Sequence, residues 1–152
     1  DQVFATFDVV SLNNDITHDL GMEALEYWID MYPQLCGHFP KNFIMRATKL
    51  VLENNTFIFN GRLYKQLVGT AMGTRCAPNY ATLTLGFLEL DLIRENYKRF
   101  LDDILVVWDK NNGDIDILLK ALNSLNDKLE YTMDMVGITV YFLMLQLKLR
   151  VI

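Results

Sequence analysis

A chain of 152 residues, 51% hydrophobic and 22% charged, is long enough to bury a core and too apolar to be disordered. Its formal net charge of −5 excludes a uniformly basic nucleic-acid-binding domain, so any contact with nucleic acid has to come from local basic residues or from parts outside the chain. Two cysteines, Cys36 and Cys76, and two histidines, His18 and His38, share no ligand spacing, which excludes a zinc site and a disulfide framework and suits a reducing compartment. No apolar run reaches the ~18 residues of a membrane span, and no secretory leader is expected. The chain opens inside a strand-like segment and ends on Val151-Ile152, so it is expected to be a piece of something longer.

Val3 to Leu12, with Phe4, Phe7, Val9, Val10 and Leu12, reads as a short strand carrying one isolated carboxylate, Asp8. That Asp is either a strand-end side chain facing water or a metal ligand carried on a rigid sheet. Asn13 to Asp19 is polar and turn-like. Leu20, Ala24, Leu25, Trp28 and Ile29 then recur at helical spacing, with Thr17 or Asp19 as cap, predicting a helix from Asp19 to about Met31. A loop bounded by Pro33 and Pro40 follows, and Phe43, Ile44, Ala47, Leu50 and Val51 predict a second helix over Lys41 to Glu53.

Thr56 to Phe59 and Arg62 to Leu67 flank Asn60-Gly61, two residues that tolerate positive φ, and so predict a β-hairpin. Its Arg62, Lys65 and Gln66 either face a phosphate backbone or form a solvated strand face. Gly69 to Pro78 is a small-residue loop whose glycines permit a ligand to approach the backbone; Pro78 fits the first turn of a helix running to about Asn96. The loop has neither the Walker A ending nor the Rossmann spacing.

Lys98 to Trp108 reads as a second hairpin with Asp102 and Asp103 at its tip. An acidic pair between apolar strands needs water or a compensating cation, because a carboxylate desolvated without a partner is costly. A solvated Asp-Asp turn and a cation site both satisfy that requirement. Beyond a turn at Asn111 to Asp114, a helix is expected from Ile117 to Leu129. Tyr131-Thr132 and Ile138 to Leu149 are expected as strands around a Val136-Gly137 turn. The order βααββαββαββ fits a single α+β domain, with helices packed on one face of a mainly antiparallel sheet.

In order along the chain stand an Asp on a strand, a glycine loop feeding a helix, and an Asp-Asp hairpin. Carboxylates brought together from neighbouring strands repel one another and are held by hard divalent cations, Mg²⁺ or Mn²⁺. Two such ions roughly 3.5–4 Å apart stabilise both the attacking and the leaving oxygen of a phosphoryl transfer.

At these residues the sequence resembles the palm of reverse transcriptases, most closely those of Penelope-like retroelements, which are related to telomerase. Phe7-Asp8-Val9-Val10-Ser11-Leu12 is similar to the first acidic motif. Gln66 to Leu83, containing Gly-Thr-Ala-Met-Gly-Thr-x-x-Ala-Pro-x-Tyr-Ala, is similar to the second, and Arg99-Phe100-Leu101-Asp102-Asp103-Ile104 to the third.

The resemblance implies a polymerase palm fold across residues 1–152, with fingers, thumb and any endonuclease outside the chain. It implies an RNA-directed DNA polymerase of a retroelement, working inside the cell, in the nucleus, on an RNA template, a DNA primer and deoxynucleoside triphosphates, with two Mg²⁺ or Mn²⁺ ions and no membrane. Asp8, Asp102 and Asp103 would be the catalytic carboxylates and metal ligands, helped by the Val9 carbonyl. Asn13, Gln66, Gly69, Met72, Gly73 and Phe100 would lie against template, nucleotide or primer, and Lys128 is a candidate for assisting pyrophosphate departure.

Departures accompany the resemblance. Asn13 stands where the family carries an aromatic that blocks the ribose 2′-hydroxyl, so discrimination against ribonucleotides is expected to be weak. Thr82 replaces an Asn, and Met144 falls where the family has an Asp after Phe-Leu. Such drift leaves open a second reading, a decayed and catalytically inactive palm remnant serving as a structural or interaction module.

Overall fold

Alternation along the first strand decides which way its carboxylate points. In β1 (Gln2–Val10) the odd residues Val3, Ala5, Phe7 and Val9 are buried, so Asp8 lies on the opposite face with Phe4, Thr6 and Val10. The computed structural model describes residues 1–71, 73–92 and 96–148, which divide into two units, Asp1–Val10 with Asp91–Ile152, and Ser11–Leu90. Among the described residues no helix is long and apolar enough to cross a membrane.

The first unit is built on a four-stranded antiparallel sheet. It comprises β1, β4 (Tyr97–Phe100), β5 (Asp103–Asp109) and β6 (Glu130–Gly137), in the order β4-β5-β1-β6. Phe7 pairs with Ile104, Ala5 with Val106 and Val9 with Tyr131, so the core residues of three strands share one face. Helix α5 (Asp116–Asn123) packs against β6 and buries Leu118 and Leu122. A separate hairpin, β7 (Thr139–Phe142) and β8 (Leu145–Lys148), follows.

In the second unit the short α1 (Leu12–Asp15) precedes α2 (His18–Met31), α3 (Lys41–Glu53), the hairpin β2 (Thr56–Phe59) and β3 (Arg62–Lys65), and α4 (Ala77–Leu88). Thr17 caps α2 by accepting a hydrogen bond from the Leu20 amide at 3.3 Å. Helices α2 and α4 meet where Gly21 leaves room for the Tyr80 ring, whose hydroxyl donates to the His18 carbonyl at 3.1 Å; a Cβ on Gly21 would overlap that ring. The Trp28 indole donates to the Leu83 carbonyl at 2.8 Å across the same pair. Pro78 lies in the first turn of α4, where its missing N–H costs nothing.

The α+β class, the antiparallel sheet and the Asn60-Gly61 hairpin agree with the sequence; the two residues of that turn have φ of +49° and +72°. Several boundaries differ. Asn13 to Asp15, expected as turn, are helical. Helix α4 stops at Leu88 instead of about Asn96, and the Asn96 carbonyl accepts from the Val107 amide at 2.9 Å.

The fifth helix ends at Asn123 rather than Leu129. The Asn123 side chain donates back to the Leu119 carbonyl at 3.1 Å and also pairs both ways with Tyr131, accepting from its amide and donating to its carbonyl, each at 2.9 Å. Strand β6 runs through the expected turn at Val136-Gly137, since pairing with β1 satisfies its backbone as far as Phe4 opposite Gly137. The turn falls instead at Leu143-Met144.

Candidate active site at the acidic end of the sheet

Three strands deliver carboxylates to one end of the first unit's sheet. Asp8 comes from β1, one residue past the Phe7–Ile104 pair, and Asp103 opens β5 on the other side of that same rung. Residues opposite each other on neighbouring strands share a face, so the two carboxylates project together. Asp102 lies in the turn between β4 and β5, exposed, beside Leu101. The expected tip, Asp102-Asp103, is therefore displaced by one residue: Leu101-Asp102 form the turn and Asp103 belongs to the strand. Leu101 holds a φ of +55°, a conformation disfavoured for a γ-branched residue, and its carbonyl accepts from the Arg99 guanidinium at 3.2 Å.

A fourth carboxylate joins from β6. Phe7 pairs with Met133 but Thr6 pairs with Met135, so Asp134 is the extra residue of a β-bulge. Asp134 follows Thr132, the partner of Asp8, by two residues, and its charge acts on both Asp8 and Asp103. Partial burial raises the Asp8 carboxyl above the ordinary carboxylate range, and the charges of Asp102, Asp134 and Asp103 add to the rise, in that order. A hydrogen bond from the Val9 amide opposes it. Partial burial, then Asp102 and Asp134, likewise raises Asp103.

Asp134 escaped the sequence reading because it lay between two expected strands. Its signal was the alternation Glu130, Thr132, Asp134 ahead of a glycine, legible only once β6 is known to continue.

The donor set suits a hard divalent cation: four carboxylates, oxygen only, none of them in a salt bridge among the described residues. Among those residues no three acidic, His or Cys side chains stand close enough together to grip one ion. Val9 contributes its amide to Asp8, while its residue pairs with Tyr131 across β1–β6. Phe100 ends β4 opposite Asp103, with more than half of its surface exposed.

The remaining expected site residues, Lys128 apart, belong to the second unit. Asn13, in α1, accepts from the Thr70 amide at 2.6 Å through its carbonyl and from the Thr70 hydroxyl at 3.3 Å through its side chain. Gly69, at φ +76°, was expected to make room for template or nucleotide. Its absent Cβ makes room instead for the chain's own α1, since a side chain there would overlap the carbonyls of Asn13 and Asn14. The Gly69 carbonyl also meets His18 Nε2 at 2.9 Å. Gly73, at φ +94°, has open space where a Cβ would stand. Gln66 continues the β2–β3 ladder, its amide donating to the Asn55 carbonyl at 2.9 Å. Met72 lies outside the described residues. Lys128 is exposed in the turn after α5, its amide donating to the Asn126 side chain at 2.9 Å.

No known protein-family profile matches the chain, and no curated protein matches it by sequence. Among solved structures it is similar to apo telomerase from Candida tropicalis, truncated from its C-terminal domain, with a TM-score of 0.67 over 97% of this chain at 13% identity. The chain spans 34% of the length of that telomerase. The fold is thus α+β with a palm-like antiparallel sheet, similar to that of the telomerase.

Proposed function

We propose that this chain is the palm of an RNA-directed DNA polymerase of a Penelope-like retroelement, joining deoxynucleoside triphosphates to a DNA primer along an RNA template within the nucleus. The observation that carries the reading is the gathering of Asp8, Asp102, Asp103 and Asp134 at one sheet end, with no basic side chain paired to any of them among the described residues. Such mutual repulsion is unfavourable unless the site exists to receive positive charge.

Two Mg²⁺ or Mn²⁺ ions, when bound, would activate the primer 3′-hydroxyl and neutralise the triphosphate. The chain's own part is to bind and orient. Asp8 and Asp103 face each other from rigid neighbouring strands; Asp102 and Asp134 reach in from a turn and a bulge, where their backbone can adjust. Exposed Phe100, directly across from Asp103, offers an apolar seat for the primer terminus. Glycine at 73 leaves backbone open to a substrate.

The test is primer extension on an RNA template with Mn²⁺, comparing the chain with Asp8→Asn and Asp102→Asn. Loss of extension by roughly 100-fold or more in each variant is expected, since metal ligation supplies several kcal/mol of transition-state stabilisation. Equal extension by the variants would overturn the assignment.

A second reading, an inactive palm remnant, is favoured by the lack of any preassembled three-ligand group among the described residues and by Met144 at a family Asp position. It predicts no Mn²⁺ binding that depends on Asp8.

A further inference from the structure

Residues 41–75 carry six basic side chains, Lys41, Arg46, Lys49, Arg62, Lys65 and Arg75, against one acid, Glu53: a local +5 in a chain whose formal net charge is −5. Lys41 is neutralised by Glu26 and Asp30 at 2.8 and 2.7 Å, and Lys49 sits 3.8 Å from Glu53. Arg62 and Lys65, both on the β2–β3 hairpin, have no carboxylate partner among the described residues.

All eight strand residues of this hairpin are exposed. The register places Phe57 opposite Tyr64 and Phe59 opposite Arg62, so three aromatic rings and a guanidinium share one face, while Thr56, Ile58, Leu63 and Lys65 take the other. On the aromatic face Phe57 and Tyr64 stack at 5.6 Å with planes 18° apart, and Phe59 meets Tyr64 edge-on at 6.5 Å. Phe59 is 62% exposed.

These cross-strand ring pairs support the hairpin, yet the outer ring faces remain in water, where covering them would release further apolar surface. Aromatic rings on a strand face, bordered by an unneutralised guanidinium, are what single-stranded nucleic acid requires: π-faces for unpaired bases and positive charge for the phosphates between them. Rings and an arginine would also serve a protein partner, but the surplus of basic side chains over residues 41–75, lysines among them, favours a polyanion. We propose that the Phe57–Phe59–Arg62–Tyr64 face is a stacking platform for single-stranded RNA. The choice of RNA over DNA rests on the polymerase reading; the platform itself does not.

The test uses the full chain and a fluorescein-labelled 15-nucleotide oligouridylate in EDTA, so that no cation site contributes, with anisotropy as the readout. Phe59→Leu keeps an apolar strand residue but removes the π-face and should weaken binding about 5- to 100-fold. Arg62→Gln should weaken it and flatten its salt dependence by about one unit of slope. Leu63→Thr, on the opposite face, should leave it unchanged, and far-UV circular dichroism checks that each variant is folded.

Several outcomes overturn the proposal: no binding by the wild type, equal binding by Phe59→Leu, a loss with Leu63→Thr as large as with Phe59→Leu, or self-association of the chain that Phe59→Leu abolishes. Tighter binding of oligodeoxythymidylate than of oligouridylate overturns the RNA assignment. Failure of metal-dependent primer extension, with this binding intact, overturns the polymerase reading alone.

Discussion

Asp134 lies within reach of the charge of Asp8 two residues beyond Thr132, the partner of Asp8, and is the unpaired residue of β6 opposite the Thr6–Phe7 step. Counting by two from Thr132 puts Asp134 on the Asp8 face, and the bulge reverses the faces of the residues that follow, from Met135 on. Asp134→Asn is therefore expected to weaken Mn²⁺ binding about 5- to 20-fold, a smaller loss than that caused by Asp8→Asn or Asp102→Asn. Mn²⁺ titration followed by electron paramagnetic resonance measures it; an unaltered affinity in Asp134→Asn would separate this residue from the site.

The same crowding has a consequence for stability. The folded-state pKa of Asp8 lies above its unfolded value of about 3.9, so between the two the folded state holds the proton more tightly and stability falls as pH rises. Above the folded value the whole penalty is in force. In EDTA, Asp8→Asn should melt a few degrees higher than the wild type at pH 7, and the advantage should vanish below about pH 4. Millimolar Mn²⁺ should raise the melting temperature of the wild type and not that of the variant. Melting curves that coincide at pH 7 contradict this account.

Two glycines are fixed by what stands where their Cβ would be. Gly69→Ala meets both a left-handed φ and the α1 backbone, and Gly21→Ala meets the Tyr80 ring. Each should cost about 2–4 kcal/mol in urea unfolding. Gly73→Ala has only its positive φ to contend with and should cost about 1 kcal/mol. If all three cost the same, close packing at Gly21 and Gly69 is not what sets the difference.

The β7–β8 turn places Leu143 and Met144 at φ of +50° and +63°, the same pair of conformations that Asn60 and Gly61 adopt in β2–β3. Exchanging the pair for Asn-Gly should relieve strain of about 1 kcal/mol per residue and raise the melting temperature by about 2–4 °C or more. An unchanged or lower melting temperature would mean that the two side chains contribute contacts outweighing the strain.

For sugar selection the expected outcome is low discrimination. The Asn13 side chain is tied to the Thr70 hydroxyl and presents no ring. In primer extension, Asn13→Tyr should lower the rNTP-to-dNTP incorporation ratio about tenfold or more. Strong exclusion of rNTPs by the wild type, unaltered in the variant, refutes the expectation.

What the sequence determined by itself is what depends on near neighbours: the strand entered at Val3, the helices over Asp19 to about Met31 and Lys41–Glu53, and the Asn60-Gly61 turn. Apolar period and turn chemistry are local, and two or three residues suffice to state them. What the tertiary structure alone decided required partners far along the chain. Pairing with β1 extended β6 through an expected turn and raised the bulge that carries Asp134. Asn123, bound to Tyr131, ended a helix whose apolar pattern ran on, and the α1 backbone took the space at Gly69 that a ligand was expected to fill. In each case a backbone group needing a hydrogen bond, or a volume that could be filled only once, was claimed by a segment that local periodicity does not register.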